Sequence, residues 1–559
     1  MKNSALEIAS TVALHSPRRV LILRSCRPVE FAAAVRFARG RHPGAEVVAL
    51  SHKGHRDSLR AAGVDDVIEL PGRRFGAHRL APWRLLKLRT TRFDEVVIPQ
   101  MTARREVHLN LYWLVGALRF DRVAILPGDE PPQLLQRAAF LRTLPSLSIR
   151  AVVNVVDVPL LLALLIVARV VKPRRVEAGA HGKRRVLHIV PTLGLGGAQR
   201  QLSEVVNSTP PDGYEIDVLV FWGSGGDFSA QWLTRDDVTI TYLGEPRLSY
   251  LVLAIARHCR ARRYDVVHTW LCLANAVGGA GARLAGVPCV VTAVRSLSLW
   301  KKTWYRQWWY RPVDILSARL ATAVTVNARA LAQDYAAWTW TRESRIDVVH
   351  NGLDPSRFLA DRLDSRRRLL QAAHAQDEAL LVGTVGRLAH EKDHKLFLRV
   401  LGEARRVYPN VHGVIVGDGP LRAELEAYAA GLGLADAVSF LGERKDAVRL
   451  MAGLDLFVLP SIIEGFPNAL LEAVFLGIPS IATRVGGCPD VLDDPGLTFG
   501  VGDDTGALTA VLAAIGDPAS ATWRARRVRA RALEMFTASH TTTAWLNLYE
   551  RCLTEAFQR

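Results

Sequence analysis

Short apolar runs recur along this chain with helix-length stretches between them, and that rhythm leaves few folds open. In the first part the runs fall at residues 20–23, 46–50, 66–70, 95–98, 122–126 and 150–156, with helical stretches such as 29–39 and 107–118 between them. Strands that alternate with helices pair in parallel, because a parallel neighbour needs a crossover long enough to hold a helix. From Arg185 the alternation restarts, at 186–190, 216–221, 238–242, 265–268, 289–292, 323–326 and 346–349. A further set follows at 380–385, 411–416, 438–441, 456–459 and 480–482. The expected fold class is therefore α/β, with three Rossmann-like units in succession, and 559 residues suffice to give each its own core. Two such units facing each other make a cleft at the carboxyl ends of their strands.

The reading divides the chain into a tail at 1–17, an accessory Rossmann-like domain at 18–156, an apolar helix and linker at 157–183, domains at 184–350 and 351–536, and a last helix at 537–559. In the accessory domain the first strand runs into Arg24-Ser25-Cys26-Arg27-Pro28 without a glycine fingerprint, so dinucleotide binding has no support there. The most apolar stretch, 151–171, contains Asn154, Asp157, Pro159 and Arg169. It is read as a buried strand at 150–156, an N-cap at Asp157 and an apolar helix at 160–171. That helix is expected to be buried or to lie in a membrane interface in preference to spanning it, with Lys172, Arg174 and Arg175 meeting anionic head groups.

The excess of 72 Lys and Arg over 54 Asp and Glu gives a net charge of +18, which suits nucleic acid, an anionic membrane or a phosphorylated substrate. Zinc-ligand spacing, RNP-like strands and basic heptads are all missing from the sequence, so nucleic acid is not expected as a partner. Cysteines 26, 259, 272, 289, 488 and 552 show no pairing pattern, which fits a reducing cytoplasm. Residues 1–17 lack the charged start and apolar centre of a secretory signal. The expected location is cytoplasmic, peripheral or monotopic on the inner face of the cell membrane.

Chemistry enters with Glu464-Gly465-Phe466-Pro467-Asn468-Ala469-Leu470-Leu471-Glu472. The spacing sets one carboxylate in a loop and another about two turns along a helix, with the N–H groups of the helix start aimed between them. Carboxylates accept hydroxyl hydrogen bonds and a helix start favours anions, so the pair suits a sugar joined to a diphosphate. Upstream, Gly386-Arg387-Leu388-Ala389-His390-Glu391-Lys392 follows a strand and brings two cations to the same end. Breaking a sugar–phosphate bond develops negative charge on the departing diphosphate, and fixed cations lower that barrier. Arg387 and Lys392 are the first catalytic candidates on this ground; a solvated helix start is the bland alternative. Gly194, Gly196 and Gly197 precede another helix, where backbone without side chains can approach a phosphate or an acceptor. No Asp-x-Asp element or His/Asp cluster stands at a strand end, so no metal or other cofactor is expected and protein cations take its place.

Together with His350-Asn351-Gly352-Leu353-Asp354 and Gly417-Asp418-Gly419-Pro420, these motifs resemble the retaining nucleotide-sugar glycosyltransferases of family four, over roughly residues 184–559. The resemblance implies the GT-B fold of two facing Rossmann-like domains, here preceded by a third, with the last helix crossing back onto the first of the two. It implies that Glu464 meets donor-sugar hydroxyls and stabilises the transition state, that Glu472 takes the nucleotide ribose, and that Gly465, Phe466, Pro467, Asn468, Gly196 and Gly197 complete the donor site. On the acceptor side it implies His268, for which a core position is the alternative. Many relatives carry a histidine where this chain has Arg295, which could hold an anionic acceptor group such as a lipid diphosphate. Trp300, Trp304 and Trp308 recur every four residues among basic ones, and read equally as a membrane face or as an aromatic core face. The implied activity moves a sugar from a nucleotide-sugar donor to a lipid-linked or glycan acceptor in cell-surface polysaccharide or glycolipid synthesis. A catalytically silent scaffold and a nucleotide-sugar epimerase are the competing readings.

Overall fold

A computed structural model of the chain describes residues 19–23, 28–52, 55–70, 91–100, 109–127, 132–174, 182–194, 196–223, 232–244, 247–298 and 310–558. The tail at 1–17 and the tryptophans at 300, 304 and 308 lie outside the described residues. The chain divides after Asp157 into two compact units.

The first unit holds strands β1 (Arg19–Leu23), β2 (Glu46–His52), β3 (Asp66–Leu70), β4 (Arg92–Gln100), β5 (Arg119–Pro127) and β6 (Gln133–Gln136), in sheet order β3-β2-β1-β4-β5-β6. The first five pair in parallel and β6 runs antiparallel to β5. Apolar side chains cover both faces. Leu21 and Leu23 join one core with Val48, Val96 and Tyr112, while Val20 and Ile22 join another with Phe31, Val47 and Val97. Two-sided burial explains why these strands read as continuous apolar runs. The short β6, two leucines between glutamines, gives no such signal and is not among the expected strands.

One expectation fails at the boundary. Residues 150–156 are not a strand, and Asp157 caps no helix start; both lie inside one helix, Arg137–Val170. A short β-branched run such as Val152-Val153-Asn154-Val155-Val156 cannot be told from a buried helical segment by periodicity alone. Helix propensity separates such residues from the best helix formers by only about 0.7 kcal/mol each, which tertiary context overrides. At its end this helix buries Leu161, Leu165 and Ala168 against Leu187, Leu251, Ile255 and Val277. Leu160, Ile166, Val167 and Val170 stay exposed. Arg174 turns inward, donating to the carbonyls of Arg263 and Tyr264 at 2.6 and 2.5 Å, so it is not free for head groups as expected. Among the described residues no helix is long and apolar enough to cross a membrane.

The second unit contains two parallel sheets. One takes β7 (Arg184–Val190), β8 (Tyr214–Val220), β9 (Thr239–Tyr242), β10 (Val266–Trp270), β11 (Cys289–Val294), β12 (Ala323–Val326) and β13 (Ile346–Val348), ordered β13-β12-β11-β10-β7-β8-β9. The other takes β14 (Leu380–Val385), β15 (Val411–Val416), β16 (Val438–Phe440), β17 (Leu456–Leu459), β18 (Ser480–Thr483) and β19 (Thr498–Phe499), ordered β16-β15-β14-β17-β18-β19. In each sheet the chain builds outward from its first strand and then returns to that strand's other side. The order therefore reverses between β7 and β10 and between β14 and β17, and a crevice opens at the carboxyl ends there.

The chain passes between the two lobes twice. Leu353 pairs with Thr537 as an isolated parallel bridge, with Leu353 N donating to Phe536 O and Ala538 N to Leu353 O at 3.0 and 2.9 Å. Helix Ala538–Gln558 then lies on the first lobe, where Trp545, Leu548, Tyr549, Cys552 and Leu553 are buried with Val186, Val266, Trp270 and Val291.

Candidate active site

The two strand-order reversals face a cleft of about 420 Å³. From the first lobe it is lined by Gly197 after β7, Leu271 after β10, Arg295 after β11 and Asn327 after β12; from the second by Gly386, Arg387 and Lys392 after β14 and by Glu464 to Asn468 after β17. Leu271 holds φ +74°, a left-handed conformation uncommon for leucine, at the tip of the reversal strand.

In the second lobe, Lys392 Nζ donates to Glu464 Oε1 at 2.6 Å, and Ser461 Oγ donates to the same oxygen at 2.7 Å. Lys392 sits in a short turn, His390–Lys392, tied to the other loop by Ile462 N donating to Glu391 O at 2.8 Å. Two loops far apart in sequence thus hold one cation and one carboxylate together at a nearly buried point. The guanidinium of Arg387 is 62% exposed and pairs with Glu391 one turn away. Behind it His394 is buried, its Nε2 bonded to the Arg387 carbonyl at 3.2 Å, and burial pulls its pKa down to about 4.

Helix Asn468–Phe475 starts at the cleft. Pro467 precedes it and no side chain caps its first N–H groups, so they stay available to an anion. Phe466 packs beneath, its ring 5.6 Å from that of His350 and 5.4 Å from that of Phe536. Gly465 is obligatory: a Cβ there would lie 2.2 Å from the carbonyl oxygen of Arg295 in the opposite lobe. Gly197 opens helix Gly197–Ser208 across the gap, and a Cβ on it would stand 3.3 Å from Asn468 Nδ2. Gly196 precedes it in extended backbone.

Glu472 lies one turn further in. It is buried and ion-paired with Arg200 of helix Gly197–Ser208, so the pair bridges the lobes. Burial pushes its pKa up, and Arg200 opposes that shift.

Arg295 is sandwiched by aromatic rings, its Cζ 4.4 Å from the Trp270 centroid and 5.6 Å from that of Trp545. Burial lowers its pKa to about 9, so the guanidinium remains charged near neutral pH. Its Nη1 donates to Asn351 Oδ1 at 2.8 Å, and Asn351 Nδ2 donates to Asn468 Oδ1 at 2.8 Å, a polar chain from the first lobe to the start of helix Asn468–Phe475. His268 is placed elsewhere. It is fully buried, stacked on Trp270 at 4.4 Å with Nδ1 bonded to the Tyr549 hydroxyl at 2.7 Å, and it does not line the cleft. The structure thus brings Arg387, Lys392, Glu464 to Asn468, Gly197 and Arg295 to one crevice, sets Glu472 just behind it, and leaves His268 in an aromatic core.

Sequence reasoning passed over Arg200, Gln201 and Asn327. Asn327 Nδ2 reaches Asn351 Oδ1 at 3.4 Å from the end of β12. The signal for the other two is a polar stripe on a short helix after a glycine loop: Gly197, Arg200, Gln201 and Glu204 share one face. Among the described residues no group of three or more His, Cys, Asp or Glu side chains is placed to hold a metal ion.

Comparison with known proteins agrees with this geometry. A family model described as Glycosyltransferase Family 4 matches residues 195–357, and one described as Glycosyl transferases group 1 matches residues 379–517. The chain is 30% identical to the 2-deoxystreptamine glucosyltransferase of Streptomyces kanamyceticus, across 51% of this chain and 75% of the relative. It is 28% identical to the UDP-Gal:alpha-D-GlcNAc-diphosphoundecaprenol alpha-1,3-galactosyltransferase of Escherichia coli, across 55% of this chain and 81% of the relative. Among solved structures, Anabaena HepE in complex with UDP and glucose is similar in fold, with TM-score 0.58 at 21% identity over 66% of this chain and 100% of that one.

Proposed function

The chain belongs to the group 1, family 4 glycosyltransferases, enzymes of GT-B fold, and from that premise we propose that it transfers a sugar, with retention of anomeric configuration, from a nucleotide-sugar donor to a lipid-linked glycan acceptor. The observation that carries the reading is the convergence of Lys392, Glu464 and the uncapped start of helix Asn468–Phe475 at one end of a two-lobed cleft. A diphosphate laid on that helix start meets Lys392 as a point charge, and Arg387 within one side-chain swing. Both interactions strengthen as the sugar–phosphate bond breaks and its electron pair passes to the diphosphate. Glu464 faces the developing positive charge on the sugar and accepts from its hydroxyls, while Glu472 takes the ribose. In this assignment the protein's cations carry the leaving-group charge, and turnover persists in the presence of a chelator.

The acceptor class is supported by the Escherichia coli relative, whose name specifies a diphosphoundecaprenol-linked sugar, and the donor class by structural neighbours solved with UDP and UDP-glucose. Exposed Leu160, Ile166, Val167 and Val170, with Arg169 and Lys172 beside them, support peripheral attachment to the inner face of an anionic membrane. Residues 18–156 are assigned an accessory role, and the lobes at 184–350 and 351–536 the acceptor and donor sides. The test is a screen of nucleotide sugars by thermal shift on the full chain, followed by donor turnover in wild type and Lys392→Ala. Loss of one such charge-stabilising group lowers kcat by about 10²- to 10³-fold. Equal turnover in both proteins defeats the assignment.

A further inference from the structure

Helix Gly197–Ser208 meets the second lobe along a single face. Gly197, Arg200, Gln201 and Glu204 follow the i, i+3, i+4, i+7 spacing of one helical stripe. All but the glycine reach across with a side chain: Arg200 to Glu472, Gln201 to both backbone groups of Gly352 at 2.9 Å, and Glu204 to Arg357 at 2.9 Å. Such a seam is polar where most helix contacts are apolar, and one of its members ends on a carboxylate of the donor site.

We propose that Arg200 is a positioning residue of the donor site supplied from the opposite lobe: by clamping one oxygen of Glu472 it keeps that carboxylate charged and turned, so that the other oxygen can accept from the donor's ribose. The proposal rests on the donor-site reading given above. A carboxylate inside a helix, eight residues after the loop that starts the site, has no cation on its own helix to hold it. Elsewhere on the seam Glu204 is paired with Arg357, and Arg357 lies beside Asp354. Among the described residues, Arg200 is the cation paired with Glu472. Donor affinity is thereby linked to the apposition of the lobes, because the clamp exists only while the seam is closed.

The test measures nucleoside diphosphate binding to the full chain by calorimetry from pH 5 to 8. UDP, GDP and TDP are tried singly, and the tightest serves as probe for wild type, Arg200→Gln, Arg200→Lys, Glu472→Gln and the Arg200→Gln/Glu472→Gln double variant. Losing one hydrogen bond to a charged group weakens binding by roughly tenfold to a hundredfold, so Glu472→Gln is expected to bind that much more weakly. Arg200→Gln is expected to match it at low pH and to recover as pH rises, since without the guanidinium the buried carboxylate ionises only at higher pH. Arg200→Lys restores most of the affinity, and the double variant is no worse than Glu472→Gln. It also leaves no unpaired buried charge, which guards against simple misfolding. An Arg200→Gln profile superimposable on wild type, with Glu472→Gln impaired, overturns the role of Arg200 alone. Wild-type affinity in Glu472→Gln overturns the donor-site reading beneath it.

Discussion

A methyl group at Gly465 would strike the Arg295 carbonyl, and neither partner is a side chain that can swing away. Overpacking of this kind typically costs about 1–3 kcal/mol, and relief here means parting the lobes. Gly465→Ala is therefore expected to lower the melting temperature and to cut turnover, and, through the Arg200–Glu472 clamp proposed above, to weaken nucleotide binding as well. A variant with wild-type turnover would show that the lobes need not touch at this point. Of the candidate site, the sequence makes legible those residues that stand at strand ends, because a parallel sheet exposes its chemistry there: Arg387, Lys392 and Glu464 are singled out by their spacing, and the loop to Asn468 by the family resemblance added to it. Asn327 is not, since what makes it part of the crevice is the apposition of two lobes that no local pattern encodes, and Arg200 shows in sequence only as one member of a polar stripe whose partner lies in the other lobe. His268 illustrates the converse. It ends a strand run in sequence, but β10 continues to Trp270, which carries the histidine back into the aromatic core.

Among the elements, helix Ala538–Gln558 covers the first lobe from the far end of the sequence. Its Trp545 is buried against His268 and Trp270, with ring centroids 4.3 and 6.0 Å away, and Arg551 pairs with Asp347 at 2.6 Å. Truncating a buried tryptophan typically costs about 3–5 kcal/mol, so Trp545→Ala is expected to lower the denaturation midpoint of the whole second unit. Retention of the wild-type midpoint would mean that the helix merely rests on the surface. Most strands were legible because both of their faces are buried, which writes them as uninterrupted β-branched and apolar runs; β14, β15 and β17 coincide with their expected bounds. The elements that escaped are the ones lacking that signature. β6 is four residues long with glutamines at both ends, β19 is two residues long, and helix Arg137–Val170 carries a valine-rich stretch that imitates a strand.

For the molecule as a whole, buried neutral histidines contribute to the response to acid. His188 Nδ1 accepts from Trp270 Nε1 at 3.0 Å and so must be unprotonated; burial holds its pKa at about 3, and that of His394 at about 4. Both values lie below the unfolded one near 6.5, so the unfolded chain binds protons that the native state refuses. Their contribution is full above about pH 6.5 and is lost as pH falls toward 4 and then 3, on the order of several kcal/mol for the two together. Urea midpoints are expected to fall steadily between pH 6.5 and 4, and His394→Gln to make that decline shallower throughout; a midpoint constant over this range would contradict the assignment. The twofold passage of the chain between lobes has a further consequence during synthesis. Val186 and Trp270 leave the ribosome long before Trp545 and Tyr549, the residues that cover them. The first lobe of this unit must therefore wait with an apolar flank bare until synthesis reaches the closing helix, and in that interval it is open to wrong contacts.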